Sequence, residues 1–380
     1  MRRKTCAPRD HWRARVEAQG LLFHRTDDMA DYWGEGAYYE LTAAQAQAID
    51  DATGELHARF LELVAHVIDA RRYAELGIPE LAIPLIEKSW AAAEPSLYGR
   101  MDLAFGPDGV PRLLEYNADT PTSLLEAAVI QWTWLADCFP EADQCNAVHE
   151  RLIATWRELR ARIGDHVWFA CVEDLEDEMT VGYLRDTAQQ AGLTTAALAM
   201  EDLGWDAARE VLVDLAEQPI AALFKLYPWE GLVLDPLAPV LPRAKTRWLE
   251  PAWKMILSNK AILPLLWERF AGHPNVLPAA REPDRLPAVV AGIVKKPLLG
   301  REGANVTIAA PGVAVETPGP YGGEGFVYQA YADLGEHDGM RPVVGSWVIG
   351  GRAAGIGIRE TAGYVTNNTA RFVPHILRER

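Results

Sequence analysis

The stretch YGRMDLAFGPDGVPRLLEYNADTPTSLLEA, residues 98–127, concentrates groups that can do chemistry. Arg100 and Asp102 stand two apart on one segment that alternates with apolar residues, and Glu115 and Asn117 stand two apart on another. Residues two apart on a strand share a face. If the two segments pair, an arginine, two carboxylates and an amide converge. Asp102, Glu115 and Asn117 offer hard oxygen donors, which suit Mg²⁺. The same pattern also fits a solvated hairpin face carrying ion pairs, typically worth under about 1 kcal/mol each.

A second group lies further along. Lys296-Pro297 closes an apolar segment, and Gly300-Arg301-Glu302-Gly303 turns the chain back. Glycines let a backbone approach phosphates closely, and exposed N–H groups can cradle their charge. The loop matches neither the GxxxxGK[ST] nor the GxGxxG pattern, and alone it is equally a hairpin turn. Lys260, in SNKAILPLLWE, opens a predicted helix that Ser258 or Asn259 could cap. Alone it reads as a surface lysine. Two lysines flanking a glycine loop say more together, because lysine is a common point-charge ligand for phosphate.

These residues need a scaffold. Apolar spacing predicts helices over 9–20, 42–72 and 79–94, so the first hundred residues read as mainly helical. The PDG at 107–109 signals a hairpin, with helices over 122–137 and 146–163 after it. The middle third reads strand 167–174, helix 179–192, strand 193–200 and strand 219–229, a small α/β unit. A helix-rich stretch follows over 235–270. The last third reads strand, glycine loop, strand over 292–308, then antiparallel strands over 326–334, 342–351 and 353–360.

The net charge of −16, from 37 basic and 53 acidic residues, argues against a general nucleic-acid binder. It is compatible with a cationic substrate such as a polyamine, and equally with charge that serves solubility alone. Cys6, Cys138, Cys145 and Cys171 form no CxxC pair and no metal spacing, which fits a reducing compartment. The basic start is followed by no apolar core of a signal peptide, and no apolar run is long enough to span a membrane. The chain reads as cytoplasmic.

The runs YGRMDLAF…RLLEYNADTPTSLLEA, SNKAILPLLWE, VKKPLLGREGAN and GIRE…TNNTARFVP together resemble the glutathionylspermidine synthase family of ATP-grasp ligases, over nearly the whole chain. The resemblance implies ATP and Mg²⁺. It makes Asp102, Glu115 and Asn117 the magnesium ligands, and Arg100 the arginine that stabilises charge at the transferring phosphoryl. It makes Lys260 and Lys296 the ATP-phosphate lysines, and Gly300, Arg301, Glu302 and Gly303 the lid. Gln329, Ala330 and Tyr331 would form the adenine-contacting hinge. Thr120, Thr122 and Ser123 would meet the acid substrate, and Arg359 the acid substrate or its phosphate. Glu176 and Asp177 fall near an acidic pair of the substrate pocket, by a poor local match. Bifunctional members carry an N-terminal cysteine amidase, for which this chain has no room, so Cys6 is no carried-over nucleophile.

The implied fold is α+β: an ATP-grasp fold with a small α/β pre-ATP-grasp domain and a helical N-terminal region. The expected divisions are 1–97 (helical), 98–165 (hairpin and following helices), 166–250 (pre-ATP-grasp-like) and 251–380 (nucleotide-binding part). The implied reaction is ATP-dependent joining of a carboxylate to an amine through an acylphosphate, with glutathione or a peptide-like acid and possibly a polyamine. Rivals are a same-fold ligase with another acid or amine, a phosphotransferase, and a non-catalytic ATP-binding partner. On this reading Arg100→Ala abolishes turnover and leaves the fold intact.

Overall fold

The structure is a computed structural model, and it describes residues 1–26 and 30–378. The hairpin strands Tyr98–Phe105 and Pro111–Asn117 sit in a five-stranded antiparallel sheet. Across that sheet the order is Arg371–Val373, Arg352–Thr361, Arg341–Ile349, Tyr98–Phe105, Pro111–Asn117. The hairpin is therefore completed by strands from the far end of the chain. All eight residues of Tyr98–Phe105 are buried, because both edges of that strand are paired and both faces covered. The solvated-face alternative does not hold for them.

One face of the sheet is covered by the long helix Ala43–Asp69. Leu56, Phe60 and Leu63 recur at helical spacing and share one core with Val344, Val348 and Ile356. The helix starts sharply because Thr42 and Gln45 form a reciprocal capping box.

A second antiparallel sheet carries the glycine loop. Its order is Ala279–Ala280, Phe326–Ala330, Ile293–Pro297, Thr307–Ala310, Val313–Glu316. The strand predicted over 326–334 therefore belongs with Ile293–Pro297 and not with the strands that follow it. A third sheet is parallel, in the order Arg247–Leu249, Ala222–Leu226, His166–Cys171, Thr194–Ala199.

Several boundaries differ from expectation. The strand His166–Cys171 stops early, and its crossover helix Leu175–Gln190 begins four residues sooner than 179. The reason is Asp174, whose carboxylate caps the helix by accepting the Glu176 and Asp177 N–H groups. The predicted strand 219–229 splits between Pro219–Ile220 in a small antiparallel sheet and Ala222–Leu226 in the parallel one. The helix-rich stretch contains the strand Arg247–Leu249. In the first hundred residues Arg2–Thr5 and Ala37–Thr42 are strands, the latter paired in parallel with His375–Arg378. Among the described residues no helix is long and apolar enough to cross a membrane.

Candidate active site

The hairpin register places Arg100 opposite Asn117 and Asp102 opposite Glu115, so the four groups do converge. A register shift between Asp102 and Leu103 ends their shared stretch. Arg100 Nε donates to Asp102 Oδ1 at 2.7 Å, and Nη1 donates to the Thr122 carbonyl at 2.7 Å. Arg359, from the strand Arg352–Thr361, donates to Asp102 Oδ2 at 3.0 Å. The Asn117 amide lies 3.5 Å from Asp102 and 3.3 Å from Glu115.

The lysines arrive from two other elements. Lys260 lies in the turn between two short helices rather than inside one. Neither predicted residue caps the helix Ile262–Phe270, whose N-cap is Ala261 with no side-chain bond; Asn259 instead closes the turn before it by accepting the Ala261 N–H, and the Ser258 hydroxyl finds no partner. Lys260 Nζ stands 3.0 Å from Glu115 and donates to the Gly300 carbonyl at 2.6 Å. Lys296, on Ile293–Pro297, donates to Gln329 Oε1 at 2.7 Å and to the Leu114 carbonyl at 3.1 Å. Burial drives the Lys296 ammonium down to about 8, with Glu115 opposing and Lys260 adding to the fall. Burial pushes the Glu115 carboxyl up, but Lys260 and Lys296 outweigh it and hold the group down at about 2.

All these groups face one cleft of about 790 Å³. Every sequence-predicted site residue lines it except Ser123. Ser123 is buried with φ 65°, and its hydroxyl turns away to Tyr32, 2.8 Å off. Gln329 reaches the cleft wall, yet its side chain is spent on Lys296 and the Leu113 carbonyl. Ala330 and Tyr331 lie beside an apolar wall of Val294, Val306, Ile308, Tyr364 and Val365, a surface suited to a flat heterocycle.

In the glycine loop, Glu302 and Gly303 both have positive φ, 53° and 67°. A Cβ at Gly303 would meet Val365 Cγ1 at 2.5 Å and the Thr366 carbonyl oxygen at 2.7 Å, so this seat needs glycine. Arg301 reaches across the cleft. Its guanidinium crosses to Glu230 Oε1 at 2.9 Å and Thr120 Oγ1 at 3.3 Å.

The far end of the cleft is acidic. Glu176 and Asp177 stand in the first turn of Leu175–Gln190, beside Thr122. Burial, then Asp174 and Glu176, pushes the Asp177 carboxyl up to about 7. Glu176 is likewise raised, chiefly by burial.

Two features went unread in the sequence. Arg100 is buried against Gly345, where an added Cβ would lie 2.9 Å from Arg100 Cδ. Its removal is therefore not structurally free, against the expectation of an intact fold, because it strips Asp102 and the Thr122 carbonyl of a buried donor. The second feature is a buried set of charges behind the hairpin: Lys225 with Asp119, and Lys254 with Glu250, each pair at 2.7 Å. A lysine inside the apolar strand ALFKL was the one sequence signal for it.

The donor set can be tested against Mg²⁺. Among the described residues no group of three or more His, Cys, Asp or Glu could hold a metal alone. Mg²⁺ commonly takes one or two carboxylates and completes its shell with phosphate oxygens and water. Two carboxylates and an amide beside two lysines fit that habit.

In fold the chain is similar to a solved glutathione synthetase-like effector from Globodera pallida, with a TM-score of 0.58 and 10% identity over 98% of each chain. This likeness shows a glutathione synthetase-like fold. The family model described as glutathionylspermidine synthase preATP-grasp matches residues 3–378, and the chain belongs to that family. It is 44% identical over 363 residues to a Haemophilus influenzae protein named "Putative acid--amine ligase", covering 92% of each. It is 30% identical to the trypanothione synthetase of Crithidia fasciculata, over 84% of this chain and 53% of that one. It is 28% identical to the bifunctional glutathionylspermidine synthetase/amidase of Escherichia coli, over 90% of this chain and 59% of that one. The chain thus spans just over half the length of these two longer relatives.

Proposed function

We propose that the protein is an ATP- and Mg²⁺-dependent carboxylate–amine ligase that works through an acylphosphate. The observation that carries this is the convergence of Arg100, Arg359, Lys260 and Lys296 with Asp102, Glu115 and Asn117 in one cleft beneath a glycine loop. A carboxylate is a poor electrophile. Attack of its oxygen on the γ-phosphate of ATP breaks the bond to the β-phosphate oxygen and releases ADP. The amine then attacks the acyl carbon and expels phosphate.

The chain's own residues position and neutralise. Lys260 and Lys296 would hold phosphate oxygens, and Arg100 and Arg359 would face charge that develops on the transferring phosphoryl. Asp102, Glu115 and Asn117 would hold Mg²⁺, which supplies further charge neutralisation at the phosphates. Thr120 and Thr122 would orient the acid. Glu176 and Asp177 suit a cationic amine. Asp177, with its carboxyl near 7, is matched to take the proton that the amine must lose before attack. The parallel sheet within 166–249 supports treating 166–250 as a pre-ATP-grasp-like unit, with 98–165 and 251–380 supplying the nucleotide site.

The acid and amine are those of a glutathionylspermidine-type ligase or of a same-fold ligase with another pair. The name of the more similar Haemophilus protein leaves the acid and the amine open, so both readings stand. An ADP-release screen over acids and amines, glutathione and spermidine included, with mass spectrometry of products, tests the reading. The expected result is ADP and phosphate in step with an amide. A stable phosphorylated acid as the final product would make the protein a phosphotransferase instead.

A further inference from the structure

We propose that Asp119 is a positioning residue that sets the latch for the glycine lid. The proposal rests on reading 300–303 as the cover over the phosphates. Arg301 leaves that lid to reach two acceptors on different segments: the Thr120 hydroxyl, just after the hairpin, and the Glu230 carboxylate, just after the strand Ala222–Leu226. A guanidinium is a rigid fork, so it needs its acceptors at one spacing. Asp119 supplies that spacing. It directly precedes Thr120, and its Oδ2 accepts the N–H of Trp229, which directly precedes Glu230, at 2.9 Å. Its Oδ1 accepts from Lys225 Nζ at 2.7 Å, and Lys225 in turn donates to the Tyr227 carbonyl at 2.8 Å. One buried carboxylate therefore ties together the two segments that receive Arg301.

The tie is rigid where the lid is not. Asp119 and Lys225 are 2% and 0% exposed, whereas the Arg301 and Glu230 side chains are 44% and 28% exposed. Gly303 seats the lid closely against Val365 and Thr366, and Lys260 meets its other end by donating to the Gly300 carbonyl. Arg301 closes the opposite end, at the substrate side. A lid fixed at both ends keeps water from an acylphosphate. A lid fixed only by Lys260 would still bind nucleotide and would leak.

The test uses the full chain and three variants. In Asp119→Ala/Lys225→Met the tie is gone and no unpaired charge is left buried, so the fold is preserved. Glu230→Gln weakens the latch itself. The third combines them. Hydrogen exchange of amides 299–306 is read with Mg²⁺ and a non-hydrolysable ATP analogue, and again without nucleotide. Exchange is expected to quicken about tenfold in the first two variants and no further in the combination, because both act through one contact. Exchange in Arg341–Ile349 and Arg352–Thr361 should not move. Lid exchange at the wild-type rate in the untied variant overturns the proposal. So does a combined effect that multiplies, or a rise in the sheet strands in step with the lid. No acid or amine is needed, and the nucleotide-free arm stands even if the chain binds no ATP, so the latch and the ligase reading can fail separately.

Discussion

Two sets of charges, one fully buried and one partly buried, lie on either side of the segment 117–119, and they differ in balance. Behind the hairpin, Lys225 and Lys254 face Asp119 and Glu250, cation for carboxylate. Every member is also tied to backbone. Lys254 donates to the Tyr98 and Ala118 carbonyls, Glu250 accepts the Leu97 and Tyr98 N–H groups, Lys225 reaches the Tyr227 carbonyl and Asp119 the Trp229 N–H. In front, among the described residues, Arg100 and Arg359 pair with Asp102 and Lys260 pairs with Glu115, while Lys296 makes no direct ion pair and Glu126 and Glu176 act on the arginines only from farther off. That set opens on the cleft and is short of negative charge. Burial alone therefore does not mark the site. What marks it is buried charge left unbalanced beside a cavity, which an anion can balance.

The strongest way to break this comparison is Arg100→Ala. Loss of a donor aimed at the transferring phosphoryl should cost turnover about 10²–10³-fold. The Asp102 carboxylate keeps Arg359 at 3.0 Å, so the stability loss should stop at about 1–3 kcal/mol. Steady-state rates and a urea melt read the two effects. An active Arg100→Ala enzyme would sink the assignment of the front set.

The next variants exchange the roles of the two sets. Lys254→Met leaves the Glu250 carboxylate buried without its cation and should destabilise by about 3–5 kcal/mol. Activity per folded molecule should barely change. Lys296→Met should lean the other way: it removes a desolvated ammonium and leaves the Gln329 Oε1 and Leu114 carbonyl without their donor, so the stability loss should stay within about 1–3 kcal/mol while activity collapses. Matched urea melts and initial rates decide it. If Lys296→Met unfolds the chain as Lys254→Met does, the two sets are alike and the distinction fails.

The front set was legible in sequence and the back set was not, for a physical reason. Arg100, Asp102, Glu115 and Asn117 are local: an alternating pattern and a PDG turn fix their register within one hairpin. Lys260 and Lys296 stand beside punctuation, a turn and a glycine loop. The back set has no local rule. Glu250 and Lys254 stand only four residues apart, but Asp119 and Lys225 come from distant segments, and the set as a whole meets only when the parallel sheet docks on the hairpin. The strands Arg2–Thr5 and Ala37–Thr42 escaped for a similar reason, since the second is completed by His375–Arg378 at the other end of the chain. Ser123 was misread because a positive φ, invisible in sequence, turns its hydroxyl to Tyr32. Glu176 and Asp177 were placed in the cleft by the Asp174 cap, a signal present in the sequence but read as strand.

Proton chemistry sharpens the contrast further. The Lys296 ammonium, ordinarily at 10.5, sits at about 8. Above that pH the front set loses a cation, so KM for ATP should rise, by up to about tenfold per pH unit while that charge governs binding. Lys296→Arg should flatten the rise. Stability moves oppositely. The unfolded lysine binds more protons than the folded one between about 8 and 10.5, so this residue's contribution to stability improves as pH rises through that window. A KM for ATP that stays level from pH 7 to 9.5 in the wild type would remove Lys296 from the phosphate site.

The smallest expected effect separates two roles at the acidic end of the cleft. The Asp177 carboxyl, pushed up to about 7 by burial and then by Asp174 and Glu176, is mostly neutral at pH 6 and mostly ionised at pH 8. If it only holds a cationic amine, KM for the amine should fall a few-fold across that range, since a partly exposed ion pair is worth about 1 kcal/mol. If it accepts the proton from the attacking amine, kcat should rise over the same range while KM stays level. Asp177→Asn should flatten whichever curve carries the pKa. Burial in the folded state makes ionising this carboxyl unfavourable, so its contribution to stability declines as pH rises from about 3.8 to 7. A thermal melt that weakens toward neutral pH in the wild type, but less so in Asp177→Asn, reports the raised pKa without any substrate. Curves for kcat and KM that are both level from pH 6 to 8 in the wild type would leave Asp177 outside the amine chemistry, with Glu176 as the remaining acid at that end.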